Sequence, residues 1–191
     1  MLFRSGQSKY AAEKEVLQFA CVQSGEALSN SGTYILRPAM IHGPGNKGNL
    51  NLLYRVAKWG LPWPLGSFDN QRSFTSIANV SAVVEALLTK RVASGIYNVA
   101  DDAALSTNEL VALIAEARGK KPRIWRIPEK LIHFCARIGD GLRLPLNSER
   151  LKKLTESYVV SNAKLKKALG WRHFPMTAQD GLKITLRSFQ S

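Results

Sequence analysis

Acidic residues are in short supply. The 191-residue chain holds 14 Asp and Glu against 27 Lys and Arg, a formal net charge of +13 at pH 7. Cysteine and histidine are rarer still, with two and three. Cys21 and Cys135 stand far apart with no CxxC spacing, and His42, His133 and His173 are scattered. That pattern argues against a disulfide framework and offers no metal-ligand set. Both thiols are therefore expected as reduced core residues of a cytoplasmic protein. Long apolar runs are absent too: nothing approaches the roughly 18–20 uninterrupted residues of a membrane span. The opening MLFRSGQSK has no apolar stretch that would serve as a secretory leader. On this reading the chain also holds no glycine-rich strand–turn–helix loop of the GxGxxG kind, so no complete dinucleotide site is expected.

What is present is an apolar fraction of 45%, enough for the core of one ordinary domain. The positive charge is concentrated late. Residues 1–117 carry ten basic and nine acidic groups, whereas 118–191 carry seventeen and five. Such a basic half suits nucleic acid, an acidic membrane surface or a polyanionic small substrate; a solvated basic face is the plain alternative. Only Trp125 and Trp171 sit beside an arginine in that half, so stacking platforms for nucleic acid are not expected.

Strand and helix signals alternate along the chain, which gives an α/β class. Periodicity predicts a helix from Ser8 to about Ser24, with Ala12, Val16, Phe19 and Ala20 on its buried stripe. TYILR (33–37) reads as a buried strand ending at Pro38, and IHGPGNKGN (41–49) as the loop leaving it. LNLLYRVAKWG follows as a helix stopped by Gly60, then an irregular loop over 61–74. Asn79 is expected to cap VSAVVEALLTK, and GIYNVA (95–100) is another strand. STNELVALIAEARG opens with a capping box, Ser106 and Glu109. RIWRIP (123–128) reads as a strand, and EKLIHFCARIG, SERLKKL, NAKLKKALGW and TAQDGLKITLRSF as helices.

The first helix holds two candidate acid–base pairs, Ser5/Lys9 and Tyr10/Lys14. A phenol one turn from an ammonium would suit proton transfer, because the charge lowers the phenol's pKa. Periodicity favours the other pair. Ser5 and Lys9 project onto the apolar stripe, where a lysine has little reason to lie unless something there uses its charge, whereas Lys14 projects almost opposite.

SGQSKYAAEK, LRPAMIHGPGNKGN, GLPWPLGSFDNQRSF, IYNVADDAALSTNEL and SNAKLKKALGW, in this order, resemble the extended short-chain dehydrogenase/reductases acting on nucleotide sugars. Among these NAD-dependent epimerase/dehydratase enzymes, the likeness is to bacterial UDP-sugar 4-epimerases and 4-keto-reductases of surface-polysaccharide pathways. The family pattern Tyr-Gly-x-Ser-Lys matches at Gly6, Ser8 and Lys9, with Ser5 in the tyrosine's place. The resemblance implies that Lys9 is the catalytic lysine and binds the nicotinamide ribose. Serine lacks the acidity and reach of the missing phenol, so this chain alone is not expected to turn over.

The resemblance further implies a fold made of the C-terminal part of a Rossmann-type domain and a small mixed α/β substrate domain. The first would take residues 1–45 with a return segment of about 72–100, and the second 46–71 and 101–191. Met40 and His42 would line the nicotinamide and sugar, and Asn49 would bond the UDP phosphate or sugar, unless it is a plain N-cap. Pro62, Trp63, Pro64 and Leu65 would cradle the uracil, unless they form only a rigid turn. Arg72 would fork onto the diphosphate, unless it serves a structural salt bridge, with Arg143 or Arg150 as a second phosphate ligand. The cofactor would be NAD or NADP and the ligand a UDP-hexose reacting at C4, with a homodimer or a separate N-terminal half as partner. The surplus positive charge would then be solubilising or would face an acidic membrane, with no nucleic acid bound. A non-catalytic UDP-sugar-binding module and a basic nucleic-acid-binding domain are the alternatives.

Overall fold

The computed structural model describes residues 4–23, 32–46, 49–142 and 147–190. Helix α1 spans Arg4–Gln23, four residues earlier than periodicity places its start. Strands β1 (Tyr34–Pro38) and β2 (Met40–His42) follow, separated by a bend at Ala39. Pro38 cannot donate a ladder hydrogen bond, so β1 ends there. The Ala39 N–H still reaches the Val99 carbonyl at 2.9 Å, and the chain then resumes as strand where a loop is expected. Helix α2 (Asn49–Lys58) leads to β3 (Phe74–Ser76), α3 (Ile77–Thr89) and β4 (Gly95–Val99). Five helices complete the chain: α4 (Thr107–Ala117), α5 (Glu129–Leu142), α6 (Ser148–Thr155), α7 (Ala163–Leu169) and α8 (Ala178–Arg187).

Both strand pairs are parallel, so each needs a crossover connection. β1 pairs β4, with Ile35 opposite Ile96, and β2 pairs β3, with Ile41 opposite Thr75. The segment 123–128 is not a strand. It makes only isolated bridges, Trp63 with Ile124 and Leu65 with Arg126, because the two prolines at 62 and 64 break the donor row on the facing segment.

Three apolar clusters hold the elements. Leu50, Phe74, Leu110, Ile114 and Leu182 join α2, β3, α4 and α8. Val83, Leu87, Tyr97, Val99 and Leu165 pack α3 and α7 on the β1–β4 pair. Leu65, Ile132, Ala136 and Leu151 seat α5 and α6 under the 61–72 loop. Cys135 points away from the last cluster and is exposed, not a core thiol, because Ile132 and Ala136 take the inward positions of α5. The described side chains of α1 depart from expectation in the same sense. Ala12 is exposed, as are Val16 at 43% and Leu17 at 37%. The helix is tied to β1 by the ion pair of Glu13 with Arg37.

Where the two strand pairs meet, a buried polar network replaces apolar packing. The cap of α3 is Ser76, whose hydroxyl accepts from the Asn79 N–H at 3.2 Å; Asn79 is not the cap but sits one turn further in. Its amide is free to bridge elements, donating to Asp101 Oδ1 at 2.7 Å and to the Met176 carbonyl at 2.8 Å. The Met176 N–H returns a bond to Asn79 Oδ1 at 3.0 Å. Asp101 also accepts from the Ser76 N–H, and its own N–H donates to the Phe74 carbonyl. A Cβ at Gly181 would lie 2.8 Å from the Ser76 Cβ, so only glycine lets α8 close over this network.

The next residue forms an outer clasp. Asp102 accepts from Lys166 Nζ at 2.6 Å, from the Phe174 N–H at 2.8 Å and from Asn162 at 3.2 Å. Burial pushes its carboxyl up, and the bonds and charge on its ionised form outweigh this, leaving the pKa below its ordinary value. A depressed carboxyl stabilises the fold above the ordinary carboxylate range and loses that contribution as pH falls through its own folded value. Asp102→Asn should therefore lower the urea midpoint at pH 7, with the gap to the parent closing as pH is brought down through about 4. Asn79→Ala leaves a buried carboxylate and the Met176 backbone short of partners. It should lower unfolding free energy by about 2–3 kcal/mol in the same titration.

Candidate functional site

The segment between α2 and β3 is irregular in sequence yet held on all sides. Gly60, at φ +74°, ends α2 by returning its N–H to Ala57. From there the chain runs beside 123–126. The Trp63 N–H donates to the Arg123 carbonyl at 2.8 Å, and the Trp125 N–H donates to the Trp63 carbonyl at 2.8 Å. Asn108, in the first turn of α4, donates its amide to the Gly66 and Phe68 carbonyls. Asn70 is buried; it donates to Thr107 Oγ1 and the Leu154 carbonyl and accepts from the Thr107 N–H. Leu65 is in the core, and Trp63 packs partly against it. Two buried polar atoms here have no partner among the described residues: the Trp63 indole Nε1 and Asn108 Oδ1. An unpaired buried donor or acceptor is expensive, so each of these two atoms is an exception among the buried polar groups.

Arg72 closes this segment. Its backbone exchanges two hydrogen bonds with Leu105, both 2.9 Å, which fixes the side chain's origin. The guanidinium faces the carboxyl end of α6: Nε donates to the Glu156 carbonyl at 3.3 Å and one Nη to the Lys153 carbonyl. Two carbonyls thus hold it where a structural carboxylate partner was the alternative. Burial pushes its pKa down, and the charge of Glu156 acts the other way. The carboxyl end of the helix thus orients the guanidinium.

The other sequence-derived candidates are dispersed. Lys9 is exposed on α1, and Ser5 lies in the same helix, its side chain outside the described residues. Met40 is half-buried against the α2–α4–α8 core. His42, expected to face the sugar, is buried at 2% exposure, because the loop expected from residue 41 is strand β2 covered by α8. Its Nδ1 stands 3.0 Å from Thr185 Oγ1. That hydroxyl donates to the Gly181 carbonyl, so its oxygen accepts and His42 Nδ1 carries the proton. His42 Nε2 points toward Asp101 Oδ2 at 3.6 Å, beyond hydrogen-bond range. Asn49 opens α2 with its side chain outside the described residues, Arg143 lies outside them altogether, and Arg150 is exposed on α6. Among the described residues no cluster of His, Cys, Asp or Glu is placed to hold a metal. None of their helices is long and apolar enough to cross a membrane.

One expectation needs correcting outright. The spacing G-x-G-x-x-G does occur, as Gly43-Pro44-Gly45-Asn46-Lys47-Gly48 between β2 and α2. Packing accounts for the two glycines the structure describes. A Cβ on Gly43 would lie 2.7 Å from Ile77, and Gly45 takes a left-handed turn at φ +74°. Met40 is half-buried in a core, and Lys9 lies on another element, α1.

Sequence reasoning missed Asn79, Asp101 and Thr185 as a group. Only the pair Asp101-Asp102 after a strand could have signalled them, since their convergence is tertiary.

No family model matches the chain. It is 33% identical over 186 residues to a UDP-glucose 4-epimerase of Vibrio cholerae, an alignment covering 96% of this chain and 53% of that protein. It is 29% identical over 198 residues to an Escherichia coli O157:H7 4-epimerase of N-acetyl-glucosaminyl-diphospho-undecaprenol, covering 95% and 55%. The chain thus spans about half the length of these relatives. A Bordetella bronchiseptica enzyme solved with NAD and UDP superposes with a TM-score of 0.57 at 18% identity, over 85% of this chain and 46% of that one. The sequence relatives are thus UDP-sugar 4-epimerases, and the structural neighbours are NAD-dependent epimerase/dehydratase enzymes with the extended short-chain dehydrogenase/reductase fold, each matched over about half its length.

Proposed function

We propose that this chain is the substrate side of an NAD(P)-dependent epimerase or oxidoreductase acting at C4 of a UDP-hexose. In this reading residues 61–72 hold the UDP moiety, and the rest of the nucleotide-binding unit supplies the dinucleotide loop. The observation that carries it is the immobilised 61–72 segment. It ends in a half-buried arginine, and it carries the unpartnered indole N–H of Trp63. Within it Pro62, Trp63 and Pro64 give an apolar cradle for a planar base, resting on Leu65, which is buried in the core and does not itself reach the base, and Arg72 meets the diphosphate. Asn49, at the start of α2, and Arg143 remain further phosphate or sugar ligands in this proposal. His42 has no part in it, since its ring is buried under α8.

The redox step belongs to the cofactor that the family uses, and its site is not made by the described residues. Proton exchange with the sugar hydroxyl also needs a phenol, and Ser5 stands where the family places one. The chain by itself therefore binds and orients, and does not turn over. The homology favours this reading over a free-standing binding module or a nucleic-acid-binding domain.

Calorimetry and thermal unfolding with UDP, and separately with NAD, test the proposal. UDP should bind and raise the melting temperature, and NAD should do neither. Arg72→Lys keeps the charge but loses the fork, and should weaken UDP about 10–100-fold. UDP binding no tighter than inorganic phosphate, or undiminished in Arg72→Lys, would overturn the assignment. Trp63→Phe keeps the packing and removes the indole donor. It should weaken UDP while leaving the chain at least as stable as the parent, read by the same two measurements.

A further inference from the structure

A second concave feature lies between the ends of α2 and α4. It is a cavity of about 370 Å³, the size class of small-ligand sites. Its floor is apolar, made by Ala57, Leu61, Val111 and Ala115. Its rim is wholly cationic, with Arg118, Lys120, Lys121 and Arg123 from the turn after α4. Arg118 is anchored by one Nη donating to the Ala57 carbonyl at 2.7 Å. Among the described residues no carboxylate pairs with any of the four. The acid on this helix end, Glu116, is taken by Lys183 at 3.2 Å.

The helix ends meet only one of these charges, that of Arg118. Carbonyls at a helix C-terminus attract cations, but here local bonds already use them: Ala57 receives Gly60 and Arg118, and Ala115 receives the Arg118 and Lys120 N–H groups. Four like charges around one cavity call for an external anion.

Large exposed apolar side chains belong to this lining or lie next to it in sequence. Trp59 is 73% exposed, Leu61 58% and Trp125 58%. Residues 123–126 are held extended against Trp63 and Leu65, with Ile124 turned inward. Alternation then sets Trp125 on the face that carries Arg123. Tryptophan beside lysine and arginine is the residue mix of a membrane–water interface, where rings sit at headgroup depth and cations meet phosphates.

We propose that this face is a peripheral docking surface for anionic phospholipid. One headgroup phosphate enters the cationic cavity while Trp59, Leu61 and Trp125 enter the interfacial layer. Nucleic acid fits less well. The cations ring a single cavity with an apolar floor and do not form a groove that tracks a strand, and the exposed leucine has no use for a base. The UDP assignment rests on Arg72 at the other end of the 61–72 segment, and of that segment only Leu61 lines this cavity.

Vesicle co-sedimentation of the whole chain tests it, with tryptophan emission read alongside. Vesicles of phosphatidylcholine with about 30% phosphatidylglycerol should bind the chain and shift its emission to the blue, and pure phosphatidylcholine should not. Brominated lipid should quench the emission, and raising salt from about 50 to 500 mM should release the chain. Lys120→Glu with Lys121→Glu should weaken partitioning by about 20-fold or more, at roughly fivefold per lost cation. Trp125→Ala should remove part of the bromine quenching. The same charge change on other faces, Lys152→Glu with Lys167→Glu, should leave partitioning within about twofold; equal loss in that control would reduce the effect to net charge and overturn the proposal. So would equal binding to phosphatidylcholine, or a single-stranded oligonucleotide binding at lower concentration than the vesicles.

Discussion

The rest of the structure depends on one buried carboxylate. Asp101 sits where β4 has ended and accepts hydrogen bonds from the Ser76 backbone and the Asn79 amide. Asn79 in turn grips the backbone ahead of α8. A charge in that position is tolerable only with every partner in place, so the group demands one arrangement of β3, α3, β4 and α8. Apolar packing alone would allow these elements to slide; a carboxylate with fixed donors does not. The buried His42, pinned by Thr185, extends the demand to β2 and the middle of α8.

The candidate UDP segment benefits from this rigidity without touching it. Residues 61–72 have almost no secondary structure, and their order comes from side-chain amides of Asn70 and Asn108 and from the paired chain at 123–126. Pre-set groups lose less entropy when a ligand arrives, which is the advantage of holding a loop by its neighbours. Arg72 joins the two regimes: its backbone belongs to the bridged segments and its guanidinium to the end of α6.

Local features were legible in the sequence. The capping box of Ser106 and Glu109 is present as read, because it involves four consecutive residues and no tertiary information. So are the strands β1 and β4 and the helices α4 and α8. The family likeness was legible as well, since it rests on ordered motifs. What failed was tertiary. Asn79 looks like an N-cap beside a helical pattern, but the cap is Ser76 and the amide is needed elsewhere. His42 looks like a loop residue after Pro38, but the strand resumes past the bend and α8 buries the ring. The glycine spacing at 43–48 was missed, and the close contact with Ile77 that explains Gly43 is invisible without coordinates. Met40, Lys9 and Trp63 were chosen through resemblance, and only the last of them lies in the held segment.

Among the described residues β1 pairs with β4 alone, in a two-stranded parallel sheet. An edge strand of this kind is a half-used ladder, and its outer backbone groups can be satisfied by another strand at no loss to the existing pair. Any strand that paired there would act on the folded chain as a ligand. By mass action its unfolding free energy rises with the concentration of that strand, so the value for the chain alone is a lower bound set by dilution.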